Sequence, residues 1–214
     1  MSASTVDTVE RRHLVAWGRK LEYFTIFYNF LEGAIGITAG LLAGSIALVG
    51  FGIDSLIEVT SGGALLWRLH SDDSERRERI ERISLTIVGL CFAALAVYVT
   101  YESVTALIRR ESPEESIPGI ILGIVSIIVM PLLARQKRRV AAGIGSGAMA
   151  ADARQTDFCF YLSFILVGGL TLNALFGWWW ADPLAGLLMV PIIVNESYRA
   201  LKGESCGCDS GTCH

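Results

Sequence analysis

Asp54 and Glu58 stand four residues apart in SIALVGFGIDSLIEV, a stretch otherwise free of charge. On a helix, four residues turn through about 400°, so both carboxylates leave from one face. Two like charges side by side in low dielectric repel, and a shared divalent cation is the commonest way to keep both ionised. Metal and proton then compete for the same oxygens, which is the chemistry that couples the movement of one to the other. The plainer reading is that one acid is protonated and hydrogen-bonds to a neighbouring helix. In ADARQTDFC, Gln155 and Cys159 share a face with Asp152 one turn earlier, while Asp157 points about 200° away from Gln155. As a thiolate, Cys159 would be a soft ligand for zinc or cadmium; as a thiol it is a small buried apolar group. Asn29 and Glu32 share a face of LEYFTIFYNFLEG, where they either line an ion path or tie helices together.

Cys206, Cys208, Cys213 and His214 place four zinc-type ligands in the last nine residues. Their order, C-x-C-x4-C-H, is not a zinc-finger spacing, and it reads as a flexible metal-catching segment or as a Cys-rich end without a role. Elsewhere the bland readings suffice. Cys91 is expected to pack, Glu196 to snorkel to the surface, and Asp157 to pair with Arg154 or sit at a helix mouth.

The elements that must position these groups are set by an oily composition. Of 214 residues 52% are apolar and only 18% charged, and the mean hydropathy is +0.50. A helix needs about 20 mostly apolar residues to cross roughly 30 Å of hydrocarbon. Six stretches meet this or nearly so, at 21–38, 45–68, 83–108, 117–134, 145–177 and 179–201. The expected fold is an all-α membrane protein of six transmembrane helices, with 1–20 as an N-terminal segment, 21–202 as the membrane domain and 203–214 as a Cys-rich tail. AGLLAG, with Gly40 and Gly44, suits a tight turn between the first two helices, and 71–81 and 111–118 read as solvated loops. With the N-terminus inside, sixteen of the 18 Lys and Arg residues fall on the inner side and only Arg109 and Arg110 outside. That asymmetry predicts both termini in the cytoplasm.

Several function classes are disfavoured. A net charge of −3 offers no basic face for nucleic acid. No nucleophile–base pair, phosphate loop or H-E-x-x-H is visible, so the chain is not expected to be an enzyme. The polar first twenty residues do not read as a cleavable signal.

SIALVGFGIDSLIE together with ADARQTDFCFYLSFILVGGLTLNALFGWWWADPLAGLLMVPIIVNESYRAL resembles the cation diffusion facilitator family, over roughly residues 20–202. The resemblance implies a tetrahedral site built from D-x-x-x-D on the second helix and H-x-x-x-D on the fifth. It implies export of Zn2+ (or Cd2+, Fe2+, Mn2+, Co2+) against protons, by a homodimer in the cell (inner) membrane. The family's first pair falls on Asp54 and Glu58, its histidine on Gln155 and its last aspartate on Cys159. A nitrogen ligand is thereby lost and an oxygen replaced by sulfur, so the family's metal selectivity does not carry over. The family's cytoplasmic C-terminal domain is expected to be absent, with the Cys-rich tail in its place. The competing expectation is a membrane metal-binding or regulatory protein that does not transport.

Overall fold

The computed structural model describes residues 3–70, 74–111 and 113–202. Six helices follow one another: α1 (Ala3–Ala43), α2 (Ile46–His70), α3 (Ser74–Arg109), α4 (Ile117–Ile144), α5 (Gly147–Phe176) and α6 (Ala181–Lys202). All six are long and apolar enough to cross a membrane, and the chain is an integral, multi-pass membrane protein. Their large outward side chains, Phe24, Phe27 and Phe30 on α1 and Ile121, Ile124 and Ile128 on α4 among them, are exposed on the surface that lipid would cover.

Local chemistry explains the helix ends. Ser116 accepts from the Gly119 N–H to start α4, with Pro118 just inside the helix, and Gly145 closes it in the left-handed conformation at φ +65°. Ser146 and Gly177 bracket α5 in the same way. α2 begins less simply. Ser45 Oγ accepts from the Leu48 N–H at 3.1 Å, and Asp182 of α6 accepts from Ser45 Oγ at 2.5 Å and from the Ile46 N–H at 2.8 Å. A carboxylate at a helix N-terminus satisfies free N–H groups and complements the dipole. Asp182 thus fastens α6 to the α1–α2 turn.

The helices run past the expected bounds. α1 continues without a break from Ala3 to Ala43, so residues 13–20 belong to the first span. Gly40 is helical, and only Gly44, at φ +66°, makes the turn. A Cβ at Gly40 would stand 2.7 Å from the Val49 backbone nitrogen, so this glycine serves close packing. α3 starts at Ser74, because the alternating charges of SERRERIE are good helix formers. α4 continues through ARQKRRVAA to Ile144, ten residues beyond the expected stop.

α1 pairs with α2, α4 with α5, and α3 with α6; α2 also meets α3, α5 and α6. The α1–α2 seam is very close. A Cβ on Gly52 would lie 2.6 Å from the Ile37 nitrogen, and one on Gly36 would lie 3.1 Å from Gly52 Cα. Small residues permit such backbone approach. Gly52→Ala must push the hairpin apart, and overpacking of this kind costs about 1–3 kcal/mol. A lowered melting temperature in detergent is the expected result; an unchanged one would show that the seam opens freely.

Candidate functional site

Four of the helices, α1, α2, α4 and α5, bring a polar face to the bundle interior. On α1 the buried polar residues are Glu22, Thr25, Asn29 and Glu32, at intervals of three and four residues that keep them on one side. α2 contributes Asp54, Ser55 and Glu58, α4 contributes Ser126 and Lys137, and α5 contributes Asp152, Gln155 and Cys159, all buried. None of the seven candidate residues at membrane depth faces the lipid side.

The antiparallel course of α1 and α2, and of α2 and α5, sets these groups in a column. Cys159 Sγ stands 3.7 Å from Asp54 Oδ2, joining α5 to α2. At the same level Glu32 accepts from Ser55 Oγ at 2.9 Å and from Ser126 Oγ, which also shares a hydrogen bond of 2.8 Å with the Tyr28 hydroxyl. One turn along α2, Asn29 Nδ2 donates to Glu58 Oε2 at 2.5 Å. Beyond it Ser61 Oγ donates to Gln155 Oε1 at 2.9 Å. The column ends, on the side of both termini, at Lys137. Its ammonium contacts Glu22 at 3.2 Å and pairs with Asp152.

The expected ligands therefore meet in pairs. Asp54 has Cys159, Glu58 has Asn29, Gln155 has Ser61, Glu32 has two hydroxyls, and Asp152 has an ammonium. Among the described residues, no three His, Cys, Asp or Glu side chains already converge on one point. Asn29 Oδ1 and Gln155 Nε2 are buried without a hydrogen-bond partner, so the column is incompletely satisfied as it stands. Cys206, Cys208, Cys213 and His214 lie outside the described residues.

Three smaller expectations change. Asp157 pairs with Arg138 of α4 and not with Arg154, because it points from α5 toward α4. Cys91 is exposed and does not pack in the core. Glu196 does not simply reach the surface, since it is partly buried and its Oε2 lacks a hydrogen-bond partner. Sequence reasoning also missed Glu22 and Lys137. The signals were there: Glu22 lies seven residues before Asn29, and Lys137 eleven after Ser126, each on the face of its neighbour. Lys137 was concealed among the basic residues of ARQKRR, which entered only the count of Lys and Arg on the inner side.

A cavity of about 220 Å3 opens at the opposite end of the bundle, between Gly40, Ser45, Tyr98, Glu102 and Asp182.

Comparison with known proteins identifies the family. A family profile described as the cation efflux transmembrane domain matches residues 23–204. Protein p34 of Rickettsia rickettsii is 24% identical over 204 residues, covering 92% of this chain and 66% of its own length. Metal tolerance protein 4 of Oryza sativa subsp. japonica is 25% identical, over 84% of this chain and 49% of its own. Magnetosome protein MamB of a Magnetospira species is 26% identical, over 85% and 65% respectively. The chain thus spans between about half and two thirds of the length of these relatives. With six spans, an interior acidic column and a profile match across nearly all of α1 to α6, the chain belongs to the cation efflux family.

Proposed function

We propose that this protein exports a divalent transition-metal cation, Zn2+ being the best candidate, in exchange for protons, and that Asp54, Glu58 and Cys159 hold the ion in transit with Gln155 beside them. One observation carries the reading. Among the described residues the buried acids are Glu22, Glu32, Asp54, Glu58, Asp152 and Asp182, whereas the buried bases are represented by Lys137 alone. Lys137 sits against Glu22 and Asp152, and Asp182 caps α2, which leaves Asp54 and Glu58 without a cation in contact. Ionisable groups at membrane depth cost at least about 2.5–3.5 kcal/mol each on insertion scales. A divalent ion removes that cost for a pair, and protons remove it when the ion leaves.

The donor set suits the cargo. Two carboxylates and a thiolate match a borderline-soft ion such as Zn2+ or Cd2+ better than a hard one. Gathering them requires that Glu58 give up Asn29 and turn its side chain along the shared face of α2 toward Asp54. The proposed path runs from the side of the termini, which the Lys and Arg asymmetry assigns to the cytoplasm, toward the opposite end of the bundle. Rocking of helix groups about a midplane site would expose it to each side in turn. Homodimeric assembly comes with the family likeness. The Cys-rich tail is proposed to gather ions on the cytoplasmic side.

A second reading, a membrane metal-binding protein without turnover, draws on the separate pairing of the candidate ligands. Vesicle transport distinguishes the two. In vesicles with an imposed pH gradient, the wild type is expected to accumulate Zn2+ and Cd2+. Asp54→Ala should lower that flux by roughly 100-fold, since even loss of an outer partner of a metal ligand costs 10–100-fold. Wild-type vesicles that take up no metal, or a variant as active as the wild type, would contradict the transport reading. Removing 203–214 should weaken uptake at low metal concentration and leave the maximal flux intact; a truncated protein with no flux would place the tail in the pathway itself.

A further inference from the structure

The end of the column nearest the termini contains a group that the proposed path does not use. Lys137 is fully enclosed, and helices α1 and α5 each turn one carboxylate, Glu22 and Asp152, onto its ammonium. α2 passes this group at Gly62, where an added Cβ would stand 3.4 Å from Glu22 Oε2. Glu58 is one turn away along α2, about 6 Å, and lies within electrostatic reach of both Lys137 and Asp152. The group therefore adjoins the proposed ion site directly.

Stability does not explain it. Buried ion pairs commonly contribute no more than apolar residues of the same size, whereas removing one partner is strongly destabilising. Its form is more informative. Two acids on different helices converge on a point filled by a compact cation, carried on a flexible four-carbon stem that can swing aside.

We propose that Glu22 and Asp152 form a second divalent-cation station on the termini side of the column, and that Lys137 is its tethered occupant. The ammonium closes the column when no ion is present and gives up its place to an arriving one. This role in the path rests on the reading of Asp54 and Glu58 as the central site, but the station itself can be detected without that site.

The probe is Mn2+, which prefers oxygen ligands and so avoids the thiols of the tail. Bound Mn2+ is counted by electron paramagnetic resonance on the purified full-length chain. Lys137→Met is expected to bind one more Mn2+ than the wild type and to melt at a higher temperature when Mn2+ is added. Both gains should vanish in Glu22→Gln/Lys137→Met and persist when Asp54→Ala is added to Lys137→Met. Persistence in that background separates this station from the central site, whatever the fate of the transport reading. The wild type should take the same additional ion only at much higher Mn2+ concentration. The proposal is overturned if folded Lys137→Met binds no extra ion, or if the extra ion survives Glu22→Gln. It is overturned equally if the variant stays unfolded at saturating Mn2+, which should replace the missing charge, or if the wild type never takes the ion.

Discussion

A carboxylate carried into hydrocarbon loses the hydration that made it a stable anion, and only a proton, a hydrogen-bonding shell or a cation restores part of that loss. The interior of this bundle is organised around that constraint. Glu32 is given two hydroxyl donors, Asp182 a hydroxyl and the open N-terminus of α2, and Glu22 and Asp152 an ammonium. Asp54 and Glu58 receive the least, a thiol 3.7 Å away and one amide N–H. The acids with the poorest compensation are the two that a mobile cation would stabilise most.

The scaffold makes this arrangement possible by bringing backbones close. Gly36 and Gly52 draw α1 and α2 together, and Gly62 leaves room beside Glu22. The offset between those helices then decides which side chains stand level. Asn29 falls opposite Glu58, and Glu32 opposite Ser55. The polar column is thus a consequence of small residues as much as of acidic ones, and its order along α2 runs from Asp54 to Gly62.

Much of this was legible from residue types and spacing. The spans follow from hydropathy and length, and the shared faces of Asp54 with Glu58, of Gln155 with Cys159, and of Asn29 with Glu32 follow from the helical period. All of them are buried in the interior. Partner choice was not legible. Whether Cys159 stands beside Asp54 or Glu58 depends on a one-turn offset between α2 and α5, which no single-helix pattern reveals. Lys137 was hidden for another reason. Helix-forming residues continue past the apolar part of α4, so its true length, and with it the inward aim of a lysine in a basic run, could be read only once the register with α1 and α5 was known.

The central claim is that the two acids of α2 grip a metal ion inside the membrane. Its most direct test is anomalous diffraction or a high-resolution cryo-EM map of the full-length protein soaked with Cd2+. Strong density between the Asp54 and Glu58 carboxylates and the Cys159 sulfur, absent in Asp54→Ala, is the result this account predicts. An empty interior at that position in the loaded wild type, with the ion bound only at other residues, would contradict it.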